Sequence, residues 1–379
     1  MSRHLTPDCE PFATSRSAPL RWSDTGALNP DYWRKVMNIT RTARGICCAV
    51  FILTLTLMIT GSIARAAGEV NIYSYRQPVL IEPLLNAFTE KTGIKANVVY
   101  AKQGLDERMA AEGANSPADL LFTVDIGRLT NAVEKGVTQA VDNATINANI
   151  PASLRDPEGH WFGLTTRVRV ILASRERVKQ DSITYEELAD PKWKGKICSR
   201  SGQHVYNIAL FASMIAHHGE KKAEEWLQGV KNNLARKPGG NDRAQSKGVY
   251  AGECDLAISN HYYMALMMTN EKKPEQKEWA KSVKLLWPNN DGRGVHVNIS
   301  GMALAKHAPN RENAVKLMEF LSSSEGQQLY ASVNNEYPAK EGVSPGKIAA
   351  SFGKFKRDDL SLAEIAKLRE RASELVDKV

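Results

Sequence analysis

The sequence predicts an α/β protein of two lobes that are joined by crossing strands and separated by a central ligand cleft. Residues 69–124 alternate strand, helix, strand, helix and strand, which is the order of a parallel, doubly wound sheet. Two long apolar stretches, 163–178 and 295–308, leave and re-enter this first lobe as strands. A chain of 379 residues with 42% hydrophobic content is long enough to build two lobes of ordinary size.

The first lobe follows from the periodicity of residues 69–124. On its first helix, Leu84, Leu85 and Phe88 share one face, and Gly93 ends the helix. The predicted strands are 69–75, 94–101 and 118–124, and the predicted helices are 83–93 and 105–112.

The second lobe begins after the crossing strand 163–178. A helix, a turn and a short strand are predicted within residues 183–200, and a later strand ends at Asn260. Further helices are predicted at 208–217, 221–232 and, after the return strand, around Ala314, Leu317, Met318 and Leu321. The predicted domain limits are 67–165 plus 297–345 for lobe one and 166–296 plus 346–379 for lobe two.

Residues 1–66 are interpreted as a removed leader, with a signal peptide that begins at about residue 37. Two arginines form a positive n-region, Ile46–Ile59 is almost wholly apolar, and "ARA" (64–66) is a small-residue cleavage signal. We therefore expect cleavage after Ala66 and export to the periplasm. The alternative is an uncleaved membrane anchor, because the apolar run approaches the ~18 residues that a membrane helix needs.

The charge of the chain does not indicate a nucleic-acid partner. Residues 1–66 carry eight basic and four acidic residues, so the chain without them has a net charge of +4 instead of +8. Its charges are interspersed, and no basic stripe alternates with aromatic residues. We expect a protein that binds no nucleic acid and acts as a monomer.

Two cysteines, Cys198 and Cys254, remain once the leader is removed. In an exported protein, two cysteines suggest one disulfide. The alternative is two separate buried thiols. A metal site built on this pair would need further ligands at suitable spacing, and the sequence has none there.

Four tyrosines stand where predicted strands give way to helices. Tyr75 ends the first strand, Tyr206 follows a loop of the second lobe, and Tyr262 with Tyr263 follows "DLAISN" at a helix start. Neighbouring residues of a helix point about 100° apart, so a packed core rarely uses both members of such a pair. A ligand beyond the helix start can contact both rings, and strand-to-helix junctions open toward the cleft.

The chemistry of these side chains indicates a ferric ion. Phenolate is a hard oxygen donor, and an unperturbed tyrosine has a pKa of about 10, so only a strongly charged cation keeps several phenolates ionised near neutral pH. Calcium and magnesium prefer carboxylates and carbonyls, and zinc prefers His and Cys. Each tyrosine alone is better explained as a packed or hydrogen-bonded ring. The set, at comparable places in the predicted fold, favours Fe(III).

Five segments, in order, resemble the periplasmic ferric-ion-binding proteins of iron(III) ABC importers, also described as bacterial transferrins. The segments are NIYSYRQ, ADLLFTVDIGRL, TTRVRVI, RSGQHVYN and AISNHYYM. The resemblance covers residues 68–340 and implies a type II periplasmic-binding fold that closes on one Fe(III) and delivers it to an inner-membrane ABC permease. By the family's motif, Tyr262 and Tyr263 are ligands, and Tyr206 matches the third tyrosine of the tyrosine-rich branch.

The first-strand segment departs from the pattern of that family. Many relatives place a His, or a His-Tyr pair, shortly after the arginine of this strand, whereas Arg76 is followed by Gln77 and Pro78, which coordinate poorly. Tyr75 is therefore predicted as a fourth ligand, which gives a site of net charge −1 with Arg76 as its counter-charge. With three phenolates, Arg76 would instead bind a synergistic anion such as carbonate.

Neighbouring residues and two other function classes offer alternatives to this prediction. Arg167 and Arg169 are candidates for the anion or for pairing with acids, and His204 and His261 are expected on the surface or behind the ligands. An importer protein for a polyamine, thiamine or a sugar uses the same fold, but polyamine sites favour carboxylates. An enzyme is not predicted, because the sequence has no GxSxG, HExxH, P-loop or nucleophile–base pair.

Overall fold

The computed structural model describes residues 68–379. The predicted leader, residues 1–66 with its signal peptide from about residue 37, lies outside the described residues. Within the described range, none of the helices combines the length and the apolar character that a membrane crossing requires.

Strands and helices are interspersed along the described chain. The strands are β1 (Glu69–Ser74), β2 (Lys95–Tyr100), β3 (Leu120–Val124), β4 (Thr138–Gln139), β5 (Phe162–Ser174), β6 (Ile197–Cys198), β7 (Leu256–Asn260), β8 (Val283–Leu286), β9 (Val297–Ala305) and β10 (Tyr337–Pro338). The helices are α1 (Pro78–Thr92), α2 (Leu105–Glu112), α3 (Ile126–Glu134), α4 (Ala144–Asn149), α5 (Val205–His218), α6 (Glu220–Asn232), α7 (Asp242–Tyr250), α8 (His261–Met268), α9 (Glu275–Ser282), α10 (Arg311–Ser322), α11 (Ser324–Asn334), α12 (Lys347–Ser351), α13 (Leu362–Lys367) and α14 (Arg369–Lys378).

The first lobe is a sheet in which β1 lies parallel between β2 and β3. β9 continues this sheet antiparallel to β3. Helix α1 packs on the sheet through a buried face that includes Leu84 and Phe88. It ends at Gly93, whose φ of 73° is a left-handed conformation that favours glycine. The order of elements predicted for residues 69–124 is confirmed.

Strand β5 crosses from the first lobe to the second. All 13 of its residues are buried. Phe162–Val168 pair with β9, whereas Arg169–Ala173 pair with β7. The strand therefore changes sheets between Val168 and Arg169, and the prediction of a two-lobed α/β fold with crossing strands is confirmed. The finer limits of the lobes, near residues 165 and 297, stay a prediction.

The second sheet is built around the far half of β5. β7 and β8 both pair with it antiparallel, and β6 lies parallel to β7. The C-terminal helices α13 and α14 pack against α5.

The prediction of a helix within residues 183–200 is wrong. The segment forms two 3-10 turns, Glu186–Ala189 and Pro191–Trp193. Pro191 cannot donate a backbone hydrogen bond, and the residue before it, Asp190, is extended with φ −65° and ψ 130°. An α-helix therefore cannot continue through this position.

A disulfide joins the two cysteines of the described chain. Cys198 in β6 and Cys254 before β7 have Cα atoms 5.8 Å apart and are bonded through their sulfurs. Both residues are buried. The bond closes the 56-residue segment between the two cysteines, and this segment carries Tyr206. Since β6 pairs parallel with β7, the bond lies at the edge of the second sheet.

We expect replacement of both cysteines by serine to destabilise the protein by about 4 kcal/mol, because the unfolded chain then gains the freedom of the opened loop. Urea unfolding of the exported protein and of the double variant measures this difference. Mass spectrometry of the unreduced protein after alkylation provides the check, since two alkylated cysteines would contradict the disulfide.

Candidate functional site

The carboxyl end of β1 and the starts of α5 and α8 face one cleft between the lobes. The cavity there measures about 600 Å³, and its lining includes all four predicted tyrosines, Tyr75, Tyr206, Tyr262 and Tyr263. Within residues 68–379, no three His, Cys, Asp or Glu side chains are grouped so as to hold a metal ion. The four tyrosines are candidate oxygen donors for a hard cation in this cleft.

Three of the four tyrosines come together on the second lobe. The hydroxyls of Tyr206 and Tyr262 lie 3.3 Å apart, although the residues belong to α5 and α8. The start of α5 is capped by His204, whose Nδ1 accepts a hydrogen bond of 3.2 Å from the backbone N–H of Tyr206. The ring of Tyr263 stacks on that of Tyr262, with centroids 4.4 Å apart and an interplanar angle of 30°. The adjacent tyrosines therefore form a stacked pair at the cleft.

Tyr75 lines the same cleft, but its hydroxyl is held on the first lobe. The hydroxyl donates to the carboxylate of Asp106 and accepts hydrogen bonds from the backbone N–H groups of Leu105 (2.8 Å) and Asp106 (3.2 Å). The guanidinium carbon of Arg128 lies 4.3 Å from the ring centroid. Burial and the bond to Asp106 raise the pKa of Tyr75 above its ordinary value. Coordination by Tyr75 would require its hydroxyl to leave these partners.

Burial controls the ionisation of the tyrosine pair. Burial, followed by the neighbouring phenol groups, raises the pKa of Tyr262 well above its ordinary value. Burial and the nearness of Tyr206 also raise the pKa of Tyr263. The phenols of this pair are therefore neutral in the free cleft near neutral pH, and a ligand that binds them as phenolates has to be strongly cationic.

Arginines surround the ring of Tyr206. The guanidinium carbons of Arg167, Arg169 and Arg200 lie 4.8, 5.9 and 5.0 Å from the ring centroid. Asp242, which is fully buried, pairs with Arg169 at 3.2 Å and with Arg200 at 3.3 Å. Arg167 donates from Nη2 to a backbone carbonyl, whereas its Nε and Nη1 have no partner among the described residues. The surroundings of Tyr206 therefore favour negative charge.

Arg76 is paired with a buried acid that sequence reasoning missed. Its Nη2 lies 2.5 Å from Oε1 of Glu336, and both side chains are buried. Glu336 also accepts hydrogen bonds from Ser300 (2.8 Å) and Thr165. Burial raises the pKa of Glu336, but the charges of Arg76 and Arg167 and the hydrogen bonds from Thr165 and Ser300 together outweigh burial, and the pKa lies below its ordinary value. Because Glu336 stands in a loop without a motif, the sequence offered no signal for it.

The two histidines next to the tyrosines lie behind them. His261 is fully buried, and burial lowers its pKa to about 4. Of the two positions expected for His261, at the surface or behind the tyrosines, the structure shows the buried one. His204 caps α5, and burial together with the charge of Arg200 lowers its pKa to about 2. Both imidazoles are neutral near neutral pH.

The chain matches known proteins over most of its length. It is 45% identical over 312 residues to Iron uptake protein A1 of Synechocystis sp., a match that covers 82% of this chain and 86% of that protein. The solved apo ferric ion-binding protein A of Pasteurella haemolytica is 49% identical with a TM-score of 0.78, covering 82% of this chain and 97% of that one. A Trichodesmium protein solved in complex with iron and citrate ligands is 44% identical with a TM-score of 0.77, covering 82% and 99%.

A sequence profile extends the comparison from single relatives to a family. The profile of bacterial extracellular solute-binding proteins matches residues 115–351, which is more than half of the chain. The fold is the two-lobed type II periplasmic-binding fold of the solved relatives. The chain therefore belongs to the family of bacterial extracellular solute-binding proteins.

Proposed function

We propose that this protein captures Fe(III) in the cleft between its lobes through tyrosine phenolates. The observation that carries the proposal is the convergence of Tyr206 and Tyr262, whose hydroxyls lie 3.3 Å apart, with Tyr263 stacked beside them. The names of the relatives described above, an iron uptake protein and a ferric ion-binding protein, support the same cargo.

The proposed chemistry follows from charge. Three phenolates carry three negative charges and neutralise one Fe(III), and their oxygens are the hard donors that this ion prefers. The arginines around Tyr206 stabilise the negative charge of the phenolates, because buried opposite charges attract strongly where water is excluded.

A synergistic anion, such as carbonate or a larger carboxylate, is part of the proposal. Three tyrosines leave room in the coordination sphere of the iron, and Arg167 has two nitrogen donors without a partner among residues 68–379. Arg76 is a weaker candidate for the anion because it is already paired with Glu336. We therefore assign Arg76 to charge balance and Arg167 to the anion.

We further infer where the protein acts. Export by the signal peptide predicted from about residue 37 would place it in the periplasm, where it passes Fe(III) to an ABC permease of the inner membrane. Membership of the extracellular solute-binding family supports this placement. We expect it to work as a monomer that neither binds nucleic acid nor catalyses a reaction.

An organic cation is a poorer match to the cleft. Among residues 68–379, Glu271 is the single carboxylate in the lining of the cavity, beside Arg76, Arg243, Lys272 and Lys273. A polyamine would meet net positive charge there, and its ammonium groups need several acidic partners.

The first prediction concerns the stacked pair. Tyr262→Phe and Tyr263→Phe each remove one oxygen and keep the ring, so we expect either change to lower Fe(III) affinity about 100-fold or more, which is roughly 2.7 kcal/mol. Competition with a chelator measures affinity, and the visible phenolate-to-iron charge-transfer band reports the bond. Tyr250→Phe, on a ring that is 53% exposed, is the matched control and should bind like wild type. Unchanged Fe(III) affinity in both Tyr262→Phe and Tyr263→Phe would contradict the proposal.

The second prediction decides whether the site has three or four phenolates. Because the Tyr75 hydroxyl is held by Asp106 and the start of α2, the geometry favours three. We expect Tyr75→Phe to leave the charge-transfer band in place and wild type to need carbonate for full affinity. Iron titrations with and without carbonate provide the test. A shifted band and a carbonate dependence that appears only in Tyr75→Phe would instead establish Tyr75 as the fourth ligand.

A further inference from the structure

His261 stands directly before Tyr262, at the first position of α8, and both of its ring nitrogens bond to backbone atoms. Nδ1 lies 3.2 Å from the backbone N–H of Val168, and Nε2 lies 2.9 Å from the carbonyl oxygen of Asn335. An N–H group only donates and a carbonyl only accepts, so Nδ1 accepts and Nε2–H donates. The surroundings thus specify a single neutral tautomer and a single orientation of the ring.

The two partners of His261 belong to parts of the fold that govern the relation between the lobes. Val168 is the last residue of β5 that pairs with β9 before the strand changes sheets. Asn335 follows α11, which packs on α1 of the first lobe, and it precedes Glu336, the partner of Arg76. The imidazole therefore connects the helix that carries Tyr262 to the crossing strand and to the first lobe.

We propose that His261 is a positioning residue that fixes the Tyr262 hydroxyl for metal binding and couples its position to the relative placement of the two lobes. The proposal rests on the proposed function, since the ligand positioned is Fe(III). A movement of the first lobe that shifts Asn335 has to bend or break the bond to Nε2, and the imidazole then loses one of its two hydrogen bonds. Tyr262 is the next residue after His261, and its hydroxyl lies 3.3 Å from the hydroxyl of Tyr206.

A core residue that only fills space would also be buried, and the ring of His261 does contact Tyr337, with centroids 4.7 Å apart. The two roles differ in what a substitution changes. Loss of packing lowers the stability of the protein and leaves the iron–phenolate bond unaltered in molecules that fold. Loss of positioning changes the charge-transfer band of the folded, iron-loaded protein.

Three variants separate the two hydrogen bonds. His261→Phe keeps a ring and removes both bonds. The amide oxygen of His261→Asn can replace Nδ1 as acceptor for Val168, and the amide nitrogen of His261→Gln can replace Nε2 as donor to Asn335. His160→Asn is the control, because His160 lies in the first lobe and bonds to Thr138.

The test uses the mature, exported protein loaded from ferric citrate, with affinity from chelator competition, the charge-transfer band and urea unfolding of the iron-free form. We expect His261→Phe to bind Fe(III) at least tenfold more weakly with a shifted or weakened band, and the Asn and Gln variants to lie between it and wild type. His160→Asn should match wild type in band and affinity.

Each result decides one question. If His261→Phe folds and keeps the wild-type charge-transfer band and Fe(III) affinity, the positioning role is overturned. If His261→Phe does not fold, the positioning role is overturned when His261→Asn and His261→Gln both keep the wild-type band and affinity. Absence of iron uptake by the wild type itself would overturn the proposed function, and the positioning role with it.

Discussion

The fold depends on one backbone constraint, which is that β5 has to be hydrogen-bonded in two sheets along one continuous strand. Its 13 residues are all buried, so each N–H and C=O needs a partner within the protein. A slip of a neighbouring strand by one residue would turn every side chain of that strand to the wrong face. The register of Arg169 with Asn260 therefore places the start of α8, and the tyrosines on it, relative to the first lobe.

The second requirement is that the buried arginines near the tyrosines have their charge balanced. Ion pairs with buried carboxylates supply much of this balance. Arg76 pairs with Glu336, and Arg169 shares Asp242 with Arg200, all of them largely removed from water. A buried charge without a partner costs several kcal/mol, whereas a hydrogen-bonded pair recovers much of that cost. Pairing thus reduces the cost of placing these arginines close to the tyrosines.

The local sequence pattern predicted much of the fold and of the site. The features that it missed depend on contacts between residues far apart in the sequence. The order of strands and helices, the crossing strands and the placement of four tyrosines at one cleft followed from periodicity and from the rule that parallel strands open at their carboxyl ends. The orientation of Tyr75 could not be predicted, because it is set by Asp106, which lies 31 residues away. Glu336 lies 260 residues from Arg76, and no spacing rule connects them.

Because the phenols of Tyr262 and Tyr263 are neutral, iron capture through them, as proposed, would exchange one cation for another. Each phenol that becomes a ligand sends one proton to the solvent, so linkage lowers the apparent affinity tenfold per proton for each unit by which the pH falls. For these two groups alone, a compartment one pH unit more acidic would hold iron about 100-fold more weakly. A phenol has an ordinary pKa of about 10, and burial raises the pKa of Tyr262 and Tyr263 further. The degree of loading therefore depends on the acidity around the protein.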